Sequence, residues 1–396
     1  MQKQVKPAFA CSLYNLYNLL RIQDAMSEET LCLLALAHMP GIGPVTARQL
    51  ISYCGGVKQV FEANYRKLIR IPGIGDQACR MILKRDTFSK AEHEWALCQK
   101  NGTRILSYRD EAYPQRLLPL YDAPLLLYAD GNMDLNPGRT VGIVGTRKMT
   151  EYGRAVTEQI IRELVPFKPL IVSGLAYGID IAAHRAAVKH TLPTIGVMAS
   201  GIDVIYPRAH EKMVPQMRRN GGILTENSFG TRPDFQRFPA RNRIIAGLSD
   251  VLIVVESALR GGGLISVEFA ANYHREVYAV PGRLDQAMSE GCNQLIRQNK
   301  AALFRSVADL AEELRWFGKP SEPGELFGKE GQVPVYEGFS LDESQLMALL
   351  KRNGELQIDE LHWQSGLAPG KVANLLLNLE FKGVVKSLPG KKYGLA

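Results

Sequence analysis

The rhythm of apolar and polar positions changes along the chain, and the changes divide it. The first hundred residues hold a short repeat: LALAHMPGIGPVTARQLI (34–51) and KLIRIPGIGDQACRMIL (67–83) share the core PGIG. Each copy reads as helix, tight turn, helix. Residues 100–140 mix prolines with short apolar runs and read as strands and turns leading into the next region. From 141 to about 315, TVGIVGT, PLIVSG, TIGVMA, GGILTE, VLIVVE and EVYAVPG are strands too uniformly apolar to face water on one side. Amphipathic segments alternate with them, which predicts a parallel sheet covered by helices on both faces. One such helix spans 150–165, with Tyr152, Ala155, Val156, Ile160, Ile161 and Leu164 as its apolar stripe and Thr150 as N-cap.

Residues 317–338 are rich in Pro, Gly and Glu, lack periodicity and read as a linker. Order returns in 341–396: ESQLMALLKR, IDELHWQSG and PGKVANLLLNLEFKG predict three short helices, and VVKSLPGKKYGLA a hairpin with a Pro-Gly turn. Three helices and a wing predict a winged-helix domain. The expected organisation is a helical domain over 1–100 and an α/β core over 101–316, Rossmann-like, doubly wound and mostly parallel. The linker and the winged helix (339–396) follow.

Composition sharpens this picture modestly. The 396 residues carry a formal net charge of +8, and 140–250 alone hold 15 Lys and Arg against 9 Asp and Glu. That surplus favours a polyanionic partner. The winged-helix segment, with 7 basic and 6 acidic residues, is nearly neutral, so a protein contact fits it as well as DNA does. Cys11, Cys32, Cys54, Cys79, Cys98 and Cys292 form no CxxC and no zinc spacing, which predicts buried thiols, a reducing compartment and no metal centre. No apolar run approaches the roughly 20 residues that span a bilayer, so no membrane insertion is expected. The first residues lack a clean signal pattern. A cytoplasmic protein is the expectation.

Candidate chemistry collects in the loops that follow the strands, where doubly wound sheets bind ligands. The first holds Gly142, Gly145, Thr146, Arg147 and Lys148, a GxxG and not the dinucleotide GxGxxG. The second holds Ser173, Gly174, Gly178, Asp180 and His184; the third, Gly201, Asp203, Tyr206, Pro207, Arg208 and His210. The fourth runs through Arg232, Phe235, Arg237, Phe238, Arg241, Asn242 and Arg243, and the fifth through Glu256, Ser257, Arg260, Gly261, Gly262, Gly263, Ser266 and Glu268. Backbone N–H groups at glycine-rich helix starts bind phosphate oxygens, and arginine grips them in bidentate fashion. Phe235 and Phe238 lie among arginines, an arrangement suited to stacking on unpaired bases at roughly 1–3 kcal/mol per base. The alternatives are a core plug for Phe238 and an ion pair to Glu268 or Asp250 for Arg243. The turn glycines Gly41, Gly43, Gly73 and Gly75 are a possible accessory contact to a nucleic-acid backbone, because such turns aim N–H groups at an anion. They resemble the helix-hairpin-helix motif.

Catalytic signals are weak. No GxxxxGK[ST] occurs, and Ser173 lacks the GxSxG elbow. Asp180 and His184 lie one helical turn apart, as a base and its partner or as a structural polar network. No enzyme activity and no cofactor are expected.

Taken together, VGIVGTRKMTEYG, SGLAYGIDIAAH, GIDVIYPRAH, FPARNRIIAGLSD, VVESALRGGGLISVEFA and YAVPG…GCNQLI resemble the DNA-processing protein A (DprA/Smf) family over about 141–296. The resemblance implies a Rossmann-like domain that binds single-stranded DNA, protects incoming strands in natural transformation and loads the RecA recombinase onto them. It also implies homodimers through that domain. Its DNA pocket would draw on Gly145, Thr146, Arg147, Lys148 and Gly174, with Arg208 after Tyr-Pro and Phe238, Arg241, Asn242 and Arg243 for stacking and charge; Phe235 joins them as a second aromatic. Two departures stand out. The fifth loop reads GGGLIS where many members have Ser-Gly-Ser, and the N-terminal region looks more like paired helix-hairpin-helix than the SAM-like form. GGGLISVE is also similar to the loop of the lysine-decarboxylase-like nucleotide phosphoribohydrolases, which would make Glu268 catalytic beside an arginine such as Arg243.

Overall fold

A computed structural model describes residues 26–316 and 339–395, apart from 366, 368 and 389–391. The linker 317–338, Cys11 and the Pro389-Gly390 turn lie outside the described residues. The chain divides at 317/318 into two units.

The first unit opens with α1 (Glu28–Ala37), α2 (Pro44–Cys54), α3 (Val57–Glu62), α4 (Tyr65–Leu68), α5 (Asp76–Lys84) and α6 (Phe88–Asn101). The PGIG repeat is a structural repeat. Gly41 and Gly73 have φ of +77° and +78°, a conformation that side chains resist. Ile42 N donates to Met39 O at 3.2 Å, and Ile74 N to Ile71 O at 3.1 Å. Gln49 Nε2 donates to Pro72 O at 2.8 Å and joins α2, the helix after the first turn, to the second turn. The second hairpin departs from expectation in having only a four-residue first helix, α4, which starts at the Asn64 cap on Lys67 N (3.0 Å).

Nine strands form one sheet in the order β1-β2-β6-β5-β4-β3-β7-β8-β9. They are β1 (Arg104–Ser107), β2 (Leu126–Asp130), β3 (Thr140–Val144), β4 (Leu170–Gly174), β5 (Thr194–Val197), β6 (Gly221–Thr225), β7 (Val251–Val254), β8 (Glu276–Ala279) and β9 (Ala302–Leu303). All six expected strands are present. β1 and β2, from the transitional region, extend the same sheet as antiparallel strands, and the rest run parallel. β3 is buried on both faces, as its apolar run requires. Val141 and Ile143 pack with Ile160, Ile161 and Leu164 of α7 (Glu151–Leu164) and Ala183 of α8 (Ile179–Lys189). On the opposite face Val144, Val172 and Leu252 pack with Ile244, Ile245 and Leu248. The helices that follow are α9 (Val214–Met217), α10 (Arg237–Leu248), α11 (Gly263–Asn272), α12 (Glu290–Arg297) and α13 (Val307–Glu313). This is the doubly wound arrangement.

Thr150 caps α7 as expected, accepting from Gly153 N at 3.2 Å. The stripe differs: Tyr152 and Ala155 are exposed, and Gly153 and Thr157 face inward. A buried carboxylate sets this rotation, since a Cβ on Gly153 would lie 2.1 Å from Glu256 Oε2.

The second unit comprises α14 (Leu341–Asn353), β10 (Leu356–Gln357), α15 (Ile358–Ser365), α16 (Pro369–Phe381), β11 (Val385–Leu388) and β12 (Lys392–Leu395). Leu346, Leu350, Leu361, Val372, Leu376 and Leu379 form its core, and a Ser340–Glu343 capping box starts α14. The sheet order β10-β12-β11 adds one strand to the expected wing. Among the described residues no helix is long and apolar enough to cross a membrane.

Candidate nucleic-acid interface

The sheet order reverses between β3 and β7, so a crevice forms beyond their carboxyl ends. The turn after β3 is pinned from below. Thr146 N donates to Glu256 O at 2.8 Å, Ile179 N to Thr146 O at 3.2 Å, and Lys148 N to Thr146 Oγ1 at 3.1 Å. Gly145 is packed too closely against Ile179 to carry a Cβ. Glu256 is buried and accepts from Thr150 N at 3.0 Å and from Thr150 Oγ1. The pinned backbone presents Arg147 and Lys148 to solvent.

Beneath the turn is a buried ionic layer. A Cβ on Gly174 would lie 2.4 Å from both Arg241 Nη1 and Asp180 Oδ2, so glycine leaves the space those side chains share. Arg241 is buried, donates through Nε to Asn242 Oδ1 at 3.1 Å and through Nη1 to Val197 O. Burial lowers its pKa and pushes that of Asp180 up, and the attraction between them opposes both shifts. Asn242 Nδ2 reaches Gly262 O at 3.3 Å and so ties α10 to the GGGLIS loop.

His184 is not the partner of Asp180. Its Nε2 lies 2.7 Å from Gly174 O and its Nδ1 2.7 Å from Thr194 Oγ1. A carbonyl only accepts, so Nε2 carries the proton. Burial depresses its pKa to about 4, and the neutral ring acts as a strut between β4 and β5. Arg243 is likewise directed inward. It pairs with Glu226 and donates to Asp122 O at 2.7 Å. Neither suggested acid is its partner: Asp250 accepts from Arg116 at 2.7 Å and 2.9 Å, and Glu268 is exposed. The Glu268–Arg243 pair that a phosphoribohydrolase reading needs is therefore not assembled.

Above this layer the rim is aromatic and cationic. Phe238 is half-buried and is not a core plug. The Arg147 guanidinium sits 4.6 Å from its ring centroid, and the Tyr206 ring 5.9 Å away. A shallow depression beside them is lined by Leu175, Met198, Ser200, Tyr206, Phe238 and Arg241. Phe235 is 84% exposed, and the Arg208 side chain 95% exposed with Glu211 at 3.9 Å. Tyr177, half-exposed, packs edge-on to His210 at 4.9 Å. Tyr177 is the rim residue the sequence reading passes over, and Tyr206 the one it names without a role. Their signal is an aromatic beside a Gly or Pro turn. Gly41, Gly43, Gly73 and Gly75 belong to the helical region and not to this cluster. Among the described residues no group of three or more His, Cys, Asp or Glu is placed to hold a metal ion.

Comparison with known proteins agrees with this architecture domain by domain. The family model described as DNA recombination-mediator protein A matches residues 104–315. A DprA winged helix domain matches 336–391, and a SAM-like Helix-hairpin-helix tandem matches 33–85. The last description merges the two forms that the sequence reading set apart. Protein Smf of Synechocystis is 30% identical over 389 residues, covering 91% of this chain and 97% of the relative. DNA processing protein DprA of Bacillus subtilis is 39% identical over 243 residues, 60% of this chain and 82% of its own. The X-ray structure of DNA processing protein A from Streptococcus pneumoniae superposes with a TM-score of 0.62 at 33% identity, over 73% of this chain and 99% of that one. With its central sheet and both flanking domains matched, the chain belongs to the DNA recombination-mediator protein A family.

Proposed function

We propose that the chain binds single-stranded DNA along the carboxyl edge of its sheet with little dependence on base sequence. In this reading it protects the strand and loads a RecA recombinase onto it during natural transformation and recombination. The observation that carries the reading is the Phe238 cluster, a π face held at a rim between Arg147 and Tyr206. Every base has a π face, so stacking there is tolerant of sequence. Arg147, Lys148 and Arg208 supply phosphate contacts, and Gly145 and Thr146 the turn that carries them. Phe238 and Phe235 supply stacking. Gly174, Arg241, Asn242 and Arg243 hold the layer that orients the rim. The carboxylates beneath the rim, Glu256 and Asp180, are buried, while Glu211 and Asp234 are exposed beside Arg208 and Phe235, so Arg147 and Lys148 carry most of the rim's positive character. The role is binding and not catalysis, in the cytoplasm. Homodimers through the sheet domain would place two such edges on one particle.

Fluorescence anisotropy with labelled single-stranded and duplex oligonucleotides, at two salt concentrations, tests the reading. Tight single-strand binding that weakens with salt and in Arg147→Ala is expected, because phosphate neutralisation releases counterions. Equal binding to duplex, with Arg147→Ala unaffected, would overturn it.

A further inference from the structure

A second polar groove lies in the first unit, where the helical region meets the loop after β6. It has a volume of about 370 Å³ and is lined by His38, Ser89, Lys90, His93, Glu94, Ser228 and Phe229. Five of these seven are hydrogen-bond donors drawn from three separate elements: the end of α1, the first turns of α6, and the β6–α10 loop. We propose that this groove binds a phosphate group, supplied by the backbone of the strand that the sheet edge holds or by a free phosphate; it rests on the single-strand reading only for the first source.

Four observations converge on an anion. The imidazole Nε2 of His38 is buried and has no hydrogen-bond partner among the described residues. α6 is 14 residues long, has no side-chain cap at its N-terminus and no acid in its first turn. Phe88 N donates to Arg85 O at 3.2 Å, and the helix dipole favours a negative charge at this end. Lys90 makes no ion pair among the described residues; burial, and after it the Lys90 charge, lowers the pKa of His38. The one carboxylate, Glu94, is already occupied: it is 4% exposed and its Oε1 accepts from Phe229 N at 2.8 Å.

The groove is also connected to the sheet edge. The loop that supplies Ser228 and Phe229 continues to the exposed Phe235, six residues on. Extended chain spans at most about 20 Å over that length, a reach that a strand of several nucleotides covers. Asp203 accepts from Gly230 N at 2.9 Å and Glu94 from Phe229 N, so the connecting loop is held at both layers. A strand stacked on Phe235 and Phe238 and continuing toward α6 would place a backbone phosphate among His38, Lys90 and His93.

The test compares the full chain with Lys90→Ala/His93→Ala, both at exposed positions. Binding of single-stranded oligonucleotides of about six and about twenty nucleotides is measured, lengths that bracket one site. Histidine side-chain resonances are followed on addition of inorganic phosphate. A backbone source predicts a loss of several-fold for the long oligonucleotide alone, with the salt slope reduced by about one. A free-phosphate source predicts phosphate-dependent shifts of His38 and His93 in the full chain, with the His38 shift abolished in the variant, and no dependence on oligonucleotide length. No length-dependent loss together with no phosphate-dependent shift overturns the proposal. Failure of the single-strand reading is separate, because it appears in the short oligonucleotide and in Arg147→Ala.

Discussion

The carboxyl edge of the sheet is where doubly wound folds bind ligands, and the third helix is where winged-helix folds meet DNA, yet the two are built differently here. At the sheet edge, exposed Arg147, Lys148 and Arg208 stand over a buried layer in which Arg241 and Arg243 are held by Val197 O, Asp122 O and Glu226. On α16 the exposed face is Asn374, Leu377 and Phe381, and Lys371 is tied to Asp342 at 2.6 Å. The first surface spends buried charge to orient free charge. On α16 the one lysine is paired, and Lys382 just beyond it is held by the buried Glu343 at 2.9 Å, so its apolar tip suits a protein better than a phosphate backbone. A winged-helix fold supplies a shape; the electrostatics has to be written separately.

The sharpest way to break this contrast is through stability. Glu226→Ala would leave the Arg243 guanidinium buried without its carboxylate, and arginine cannot shed its proton. A cost of about 3–5 kcal/mol is expected. Asp342→Ala removes a half-exposed pair in the winged unit and should cost about 0–1 kcal/mol. Urea midpoints for the two variants measure both. Equal small losses would mean that the inner layer is not needed to support the rim.

Acid separates the regions next. The folded pKa of His184 is about 4, below its ordinary 6.5, because burial disfavours the charged ring. As pH falls from 6.5 toward 4 the unfolded chain takes up a proton that the folded chain refuses. The stability His184 contributes is thus complete above pH 6.5 and is lost progressively down to pH 4, by up to about 3 kcal/mol. Urea midpoints of wild type and His184→Asn should lie far apart at neutral pH and approach each other in acid. A constant gap would assign the acid sensitivity elsewhere.

Much of this was legible in advance, and the misses share a cause. The six strands were written as uniformly apolar runs, and the PGIG repeat as a repeat of glycines that adopt the same positive φ. The loops that hold the site followed from the strand ends. What one-dimensional reading does not give is the partner of a buried charge. Arg243 was open between Glu268 and Asp250, but Glu226 from the end of β6 takes it. Asp180 and His184 share a helix at one-turn spacing, yet they face different groups. The rotation of α7 likewise depends on Glu256, a residue about a hundred positions away in sequence. Such pairings are set by the crossing of distant elements.

Aromatic truncation gives the next smaller effect. Phe238→Ala removes the ring that Arg147 and Tyr206 flank and should weaken single-strand affinity by about 1–3 kcal/mol, the worth of one stacked base. Phe381→Ala removes a ring that is 82% exposed on α16 and should leave that affinity unchanged. Anisotropy titrations of the two variants side by side read the difference. A loss in Phe381→Ala equal to that in Phe238→Ala would move the strand onto the winged unit.

The smallest expected effect is also the most specific. Arg208 projects from the turn after Tyr206-Pro207 with its side chain 95% exposed, and its nearest acid, Glu211, is 3.9 Å away and itself exposed. A contact that loose is screened by salt and adds little to folding. Its value to a bound strand is one neutralised phosphate. Arg208→Ala should therefore leave the urea midpoint unchanged and weaken binding similarly for every base sequence. The slope of log affinity against log salt should fall by about one. Lys371→Ala, its counterpart on α16, should leave that slope where it was, because Lys371 is already paired with Asp342. A slope that changes with Lys371 and not with Arg208 would reverse the assignment of the two surfaces.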